Sequence, residues 1–175
     1  YLCQFEELGW ALDERQRARA LELGPDLFED DHAAWAMVRA HLYWLRGDKA
    51  KARQWADSAS AKYEEESRTA PDDPQRRAIH GVALAYLGRY PEAIQEGKRA
   101  LEALSPAKDM YFGPYIQHQL VRIYLLAGQP DQALDLLEPL LAMPYTLTPA
   151  WLRIDPMFEP LRNHPRFKRL VEGTA

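Results

Sequence analysis

The sequence predicts an all-α fold built from antiparallel helix pairs that repeat along the chain. Related turn sequences recur at intervals of 41 and then 40 residues: Leu45-Arg46-Gly47-Asp48, Tyr86-Leu87-Gly88-Arg89 and Leu126-Ala127-Gly128-Gln129. Apolar and small residues at helical spacing lie on both sides of each glycine. A glycine that ends one helix at positive φ, shortly before another helix begins, is typical of a tight turn between antiparallel helices.

The repeat divides the chain into five expected units within a single domain. The expected units are residues 1–32, a truncated N-terminal helix pair; residues 33–70, 74–107 and 114–147, three full repeats; and residues 148–175, a cap. In the first unit we expect a turn at Leu8-Gly9 and a helix from Leu12 to Leu23. Asp13-Glu14-Arg15-Gln16 has the pattern of a capping box that opens this helix.

Each full repeat carries the residues that start a second helix and let it pack closely on the first. Asp48, Pro91 and Pro130 are suited to helix starts. Small residues are expected at the contact between the two helices of a pair; they are Ala40, Ala52, Gly81, Ala93 and Ala133. Longer connections are expected at Pro71-Asp72-Asp73 and from Lys108 to Gly113.

The C-terminal segment departs from the repeat and predicts a proline-rich helical cap. Pro149, Pro156, Pro160 and Pro165 are each expected at or near the start of a short helical turn. Thr148 and Asp155 are the expected N-caps. The segment is too apolar for a free tail, so we expect it to cover the open end of the last repeat, as terminal units of repeat proteins do.

The repeats resemble the tetratricopeptide-repeat family, most clearly in residues 81–94 and then in residues 124–134, where a glycine is followed five residues later by a small alanine. This resemblance implies a right-handed superhelix of antiparallel helix pairs and a protein-binding function. Gly97 departs from the pattern, since the family prefers an aromatic residue there. The Lys and Asn set with which some family members bind chaperone tails is not matched: Met37, His41, Ile79, Tyr115 and Gln119 occupy those places.

Residues 150–167, together with residues 115–120, look like the C-terminal repeat region of bacterial signalling proteins. Such a region often follows a serine/threonine kinase domain, and sometimes a cyclase-like or DNA-binding transcriptional domain. This resemblance implies a cytoplasmic protein in which another domain carries the catalytic activity. The first residue is Tyr1, and we expect the chain to be part of a longer protein. No glycine-rich phosphate loop or His-Arg-Asp catalytic loop occurs in its 175 residues.

Composition argues against several other classes of function. The formal net charge of -4 gives no broad basic field for a nucleic-acid backbone. Cys3 is the single cysteine, so it cannot form an internal disulfide, and we expect it to pack as a small apolar residue. The most apolar stretch, residues 134–143, is too short and too interrupted to span a membrane.

No pattern in the sequence indicates a catalytic or metal site, and no cofactor is expected. The five histidines never adopt a close ligand spacing; they are His32, His41, His80, His118 and His164. We expect His80 to be a hydrogen-bonded core histidine. No Gly-x-Ser-x-Gly elbow is present. The chain is therefore not expected to be an enzyme, and a hydrolase with a site in the groove is the remote alternative.

Stacked helix pairs form a concave groove, and helical spacing predicts which side chains line it. The candidate peptide-binding residues are Met37, His41, Trp44, Gln75, Val82, Tyr115, His118 and Arg122. This lining favours an apolar protein or peptide segment anchored by a few polar contacts, with Trp44, Tyr115 and Arg122 as the expected main contributors. The alternative for Trp44 and Tyr115 is packing against neighbouring helices. The alternative for the whole module is pairing with a second copy of the chain.

Overall fold

The computed structural model of the protein describes residues 6–69 and 73–172, and this part of the chain contains helices and turns but no β-strand. The α-helices are α1 (Glu14–Ala20), α2 (His32–Leu45), α3 (Lys49–Glu66), α4 (Pro74–Leu87), α5 (Tyr90–Ala103), α6 (Phe112–Leu126), α7 (Pro130–Leu141), α8 (Pro149–Ile154) and α9 (Pro165–Glu172). Three 3₁₀ helices complete the set: Glu6–Ala11, Pro25–Phe28 and Pro156–Leu161. The predicted all-α helical-repeat fold is confirmed.

Glycines with positive φ separate the two helices of each pair, as their spacing predicts. Gly47, Gly88 and Gly128 have φ values of 76°, 83° and 69°. This left-handed conformation costs glycine little and lets the chain reverse direction directly after a helix. Helix α3 then begins after Asp48, whose side chain accepts a hydrogen bond from the Lys51 amide at 3.1 Å.

The pairs α2/α3, α4/α5 and α6/α7 pack in series, with α3 against α4 and α5 against α6. The small residues predicted at the contacts are all buried. At Gly81 a Cβ atom would lie 3.0 Å from the Ala93 carbonyl oxygen and 2.8 Å from Ile123 Cδ1. Glycine at this position therefore lets α4 approach both its partner helix and the next repeat.

Gly97 marks a second close approach and accounts for the departure from the family pattern. A Cβ atom at this position would lie 2.8 Å from Leu120 Cδ1 and 2.9 Å from Ile123 Cδ1. Both leucine and isoleucine belong to α6 and are buried. Because α6 occupies the space above residue 97, no room remains there for an aromatic side chain.

The N-terminal unit contains the predicted capping box but a shorter helix than predicted. Asp13 and Gln16 form the reciprocal cap of α1, which ends at Ala20 instead of Leu23. The carbonyl oxygens of Leu21 and Leu23 instead accept hydrogen bonds from Arg39 Nη1 at 2.5 Å and Trp35 Nε1 at 2.8 Å. Side chains of α2 thus satisfy carbonyl oxygens just beyond the end of α1, which have no donor within that helix.

The prediction of a turn at Leu8-Gly9 is wrong, because both residues lie within the first 3₁₀ helix, Glu6–Ala11. Arg17 fixes this helix by donating hydrogen bonds to the carbonyl oxygens of Gly9 and Trp10, at 3.3 and 3.1 Å. Cys3 and the Pro71-Asp72 part of the predicted connection lie outside the described residues, so their predicted roles stay predictions.

The C-terminal segment caps the last repeat, as predicted from its apolar residues. Thr148 caps α8, and Asp155 caps the 3₁₀ helix that follows. Several cap side chains are buried against the repeats; they are Leu152, Met157, Phe158, Leu161 and Phe167. Pro149, Pro156 and Pro165 begin their helices, but Pro160 lies inside a 3₁₀ helix, contrary to the prediction.

Candidate functional site

The first helices of the three pairs, α2, α4 and α6, together carry the predicted groove, and the chain itself covers part of it. The 3₁₀ helix Glu6–Ala11 packs on α2, and the cap packs on α6. The two covers meet where the indole rings of Trp10 and Trp151 lie 5.4 Å apart at their centroids. The covered part of the groove, which we call the inner half, includes His41 and His118.

Most of the predicted groove residues lie in this inner half and are buried. The buried residues are Met37, His41, Val82, His118 and Arg122, none more than 2% exposed. Trp44 is half-buried and its ring lies 6.1 Å from that of Tyr86 on α4, so it packs against a neighbouring helix. Gln75 and Tyr115 are half-buried and line an open cavity. The eight residues therefore do not form one exposed surface.

His41 is held at the floor of the inner half by α2 and α4. Its Nδ1 lies 2.7 Å from the Tyr86 hydroxyl oxygen, and its ring stacks on Trp44 with centroids 5.9 Å apart. Burial lowers the pKa of His41 well below its ordinary value, and the positive charges of Arg122 and Arg17 act in the same direction. The imidazole is therefore neutral at pH 7.

His118 is held in the same way by the cap. Its Nδ1 lies 3.2 Å from the Tyr145 hydroxyl oxygen, and its ring stacks on Phe158 with centroids 6.3 Å apart. Burial, with a contribution from Arg122, lowers the pKa of His118 to about 3. Arg122 itself donates a hydrogen bond to Gln119 Oε1 at 2.6 Å. The contacts of His118 with Tyr145 and Phe158 therefore join α6 to the C-terminal segment, while the Arg122–Gln119 hydrogen bond lies within α6.

His80 is hydrogen-bonded, as predicted, but its side chain is only partly buried and does not belong to the core. Its Nε2 lies 3.0 Å from the Ser60 hydroxyl oxygen on α3, in a partly buried contact. Among residues 6–69 and 73–172, no three His, Cys, Asp or Glu side chains are grouped so that they could hold a metal ion. None of the helices in that part of the chain is long and apolar enough to cross a bilayer.

The outer half of the groove, at the N-terminal ends of α4 and α6, is an open cavity of about 1020 Å³. Its walls come from the first 3₁₀ helix, from α3, α4 and α6, from the residues directly before α2, α4 and α6, and from residues just before and at the start of the cap. The lining residues are Glu7, Leu8, Asp31, Tyr63, Asp73, Gln75, Arg76, Ile79, Met110, Tyr111, Phe112, Tyr115, Pro144, Tyr145, Thr146 and Trp151. The cavity is therefore rich in aromatic side chains.

The rim of the cavity carries an exposed apolar run that sequence reasoning missed. Met110, Tyr111 and Phe112 are 65%, 79% and 39% exposed. The Asp109 carboxylate accepts hydrogen bonds from the amides of Tyr111 and Phe112, both at 2.8 Å, and so fixes the start of α6. The available signal was three consecutive apolar residues inside a connection longer than the family norm.

A cluster of charges also lines the cavity. The Arg76 guanidinium forms an ion pair with Glu66 and lies 3.4 Å from an Asp31 oxygen and 3.6 Å from an Asp73 oxygen. Asp31 and Asp73 also cap α2 and α4. These contacts hold Arg76 in place at the cavity, so the cavity has a polar part beside its aromatic one.

These features define a helical-repeat protein with a partly covered groove and one open aromatic cavity. The tetratricopeptide repeat family model matches residues 34–58 and 114–139, which supports a tetratricopeptide-repeat protein. The matched residues cover α2 with the first half of α3, and most of α6 and α7. Such repeats generally mediate protein–protein interactions and are typically non-catalytic. No curated protein and no solved structure gives a significant match to the chain.

Proposed function

We propose that the chain is a protein-binding module that holds an apolar or aromatic segment of another protein in the outer cavity. The observation that carries this proposal is the combination of a cavity of about 1020 Å³ with the exposed Met110-Tyr111-Phe112 rim. Pockets for small ligands measure about 300–1,000 Å³. A cavity at the top of this range has room for several side chains of a peptide.

The residue types in the cavity favour a protein ligand. Tyrosine, tryptophan and arginine contribute strongly to protein interfaces, because they bury a large area and also offer a hydrogen-bonding group. The cavity contains Tyr111, Tyr115, Tyr145, Trp151 and Arg76. Of the groove residues predicted from the sequence, Gln75 and Tyr115 line the cavity and would contact the ligand. The buried ones among them, such as His41 and His118, lie in the inner half of the groove.

We further propose that the module is the recognition part of a larger cytoplasmic bacterial signalling protein, with any kinase or other catalytic activity in a separate domain. The support for this finer proposal is the sequence resemblance in residues 115–120 and 150–167. A test is to place the chain in its full-length context and ask whether substitutions in the cavity change phosphorylation of a bound partner without changing autophosphorylation.

The binding proposal is tested by selecting peptides from a random displayed library and measuring their affinity for the intact chain. A Tyr115→Ala variant is expected to weaken binding by tenfold or more, because the ring lines the cavity. Tyr90→Ala is the matched control, since Tyr90 is 38% exposed at the start of α5 and does not line the cavity. Circular dichroism verifies that both variants keep their helicity.

Equal binding by the intact chain and Tyr115→Ala would exclude the cavity as the binding surface. Pairing between copies of the chain is the second candidate function, favoured by the same exposed rim. Sedimentation velocity over a hundredfold concentration range distinguishes self-association from binding of another protein. A dimer that Tyr111→Ser dissociates indicates self-association, whereas a monomer at all concentrations excludes self-association.

A further inference from the structure

The inner half of the groove is occupied by a segment of the chain itself. The backbone of this segment runs directly against α2: a Cβ atom at Gly9 would lie 3.0 Å from His41 Cδ2 and 3.1 Å from Leu42 Cδ2. Trp10 then extends across the groove to the cap, where its ring packs on Trp151. The 3₁₀ helix Glu6–Ala11 thus lies where a bound peptide of a repeat protein would lie.

The chemistry of the segment matches the surface beneath it. Arg17 donates hydrogen bonds to the carbonyl oxygens of Gly9 and Trp10, at 3.3 and 3.1 Å, and the Arg122 guanidinium is buried on α6. Glu7 is 5% exposed, and it also belongs to the lining of the outer cavity, so its carboxylate lies where the two halves of the groove meet. Two residues later, Gly9 permits the close approach to α2, and Trp10 supplies the ring that contacts the cap. The small residue and the aromatic ring of the segment therefore each face a matching feature, His41 and Leu42 of α2 for Gly9 and Trp151 of the cap for Trp10.

The segment Glu6–Ala11 has weaker internal and tertiary hydrogen bonding than the α-helices. A 3₁₀ helix of six residues is unusually long for this geometry, whose hydrogen bonds are poorer than those of an α-helix. The Trp10 Nε1 atom is buried and has no hydrogen-bond acceptor among residues 6–69 and 73–172. A buried donor without an acceptor opposes burial of the indole, so this contact favours release of the segment.

We propose that the segment Glu6–Ala11 is an internal ligand, and that the inner half of the groove accepts a partner segment of the same chemistry. That partner segment carries a carboxylate three residues before an aromatic ring, with a small residue directly preceding the ring. The proposal rests on the proposed protein-binding function and assigns the ligand class of the covered half. A covalently attached ligand acts at an effective concentration of about millimolar, so the intact chain binds such a partner weakly.

The test uses the full chain and a labelled synthetic peptide with the sequence of residues 6–12. The receptor variant Gly9→Val/Trp10→Ala removes the indole contact and adds a side chain where the segment meets His41. Fluorescence polarisation is expected to show at least tenfold tighter peptide binding to this variant than to the intact chain. A second peptide with the changes Glu7→Gln and Trp10→Ala is expected to lose that gain. Ile154→Ala, at a residue 59% exposed on α8, is the matched receptor control.

Equal binding of the first peptide to the variant and to the intact chain overturns the proposal, as does equal binding of both peptides to the variant. A second measurement avoids the risk that the variant does not fold. In the ¹⁵N-labelled intact chain, unlabelled peptide at millimolar concentration is expected to accelerate amide exchange in residues 6–11 and not in α4. Unchanged exchange in residues 6–11 likewise overturns the proposal.

The two proposals fail in different ways. If Tyr115→Ala weakens binding of library-selected peptides but the segment peptide never competes, the outer cavity is a binding site and the segment is a permanent part of the fold. If the segment peptide binds the opened variant while Tyr115→Ala has no effect on the selected peptides, the inner half alone is the ligand site.

Discussion

The Nδ1 atom of His41 on α2 lies 2.7 Å from the hydroxyl oxygen of Tyr86 on α4. The His41 and Tyr86 side chains are 1% and 6% exposed, so the hydrogen bond is shielded from water. It joins the first repeat to the second at the floor of the groove. The interface between these repeats therefore depends on a polar contact as well as on apolar packing.

Replacement of Tyr86 by phenylalanine is expected to destabilise the protein. The change leaves the ring in place but removes the hydroxyl oxygen that lies 2.7 Å from His41 Nδ1, so a buried polar atom loses this partner. Such a loss costs about 1–3 kcal/mol. Urea unfolding followed by circular dichroism measures it. Tyr90→Phe, on the exposed ring at the start of α5, is the control and is expected to change the unfolding free energy by less than about 0.5 kcal/mol.

Stability is expected to fall as the pH is lowered from 6.5 towards 4.5. Burial lowers the pKa of His118 to about 3 in the folded protein, whereas an unfolded histidine titrates near its ordinary value of 6.5. Between these values the unfolded chain binds a proton that the folded chain does not, so the free energy of unfolding decreases by about 1.4 kcal/mol per pH unit for that group. His41, whose pKa is also lowered, acts in the same direction.

Urea unfolding at pH 7, 5.5 and 4.5 tests this dependence. Burial raises the pKa of Asp155 above its ordinary value, so its protonation favours the folded state as the pH falls and opposes the contribution of the histidines. His118→Gln is expected to reduce the slope, while a change at the exposed His32 to Gln leaves it unaltered. If His118→Gln does not change the dependence of the unfolding free energy on pH, the assignment of that dependence to His118 is wrong.

Introducing the aromatic residue that the family prefers at position 97 is expected to destabilise this chain. In Gly97→Phe the ring would enter space already filled by Leu120 and Ile123, and overpacking of this kind costs about 1–3 kcal/mol. Thermal and urea unfolding measure the effect. Gln95→Phe, on an exposed position of the same helix, is the control. Equal stability of the Gly97→Phe variant and the unsubstituted chain would show that α5 and α6 separate easily.

Asp155 is expected to contribute to stability through two hydrogen bonds. Its carboxylate accepts from the Met157 amide at 2.8 Å and from Trp151 Nε1 at 3.0 Å. Asp155→Ala leaves both donors without this acceptor and is expected to cost about 1–3 kcal/mol. Asp155→Asn retains one acceptor for the cap and is expected to cost less. Urea unfolding gives the order, and near-ultraviolet circular dichroism reports whether Trp151 keeps its environment. A larger loss for the asparagine variant would contradict this account.

The sequence by itself determined the local features of the fold. Gly47, Gly88 and Gly128 end their helices, Asp13 and Gln16 form a capping box, and Thr148 and Asp155 cap the C-terminal helices. These features depend on the backbone preferences of a few neighbouring residues, so they are visible in a short stretch of sequence. The recurrence of the glycines then predicted the stacked pairs.

Only the tertiary structure decided which part of the groove is open. Helical spacing places His41, His118 and Arg122 on the inner faces of their helices, but it contains no information on what covers those faces. The cover comes from Trp10 and Trp151, which lie at opposite ends of the chain and meet across the groove. Exposure of a side chain depends on every segment that packs over it, whereas helix formation depends mainly on nearby residues. The helices were therefore predictable from the sequence, and the open cavity required the assembled fold.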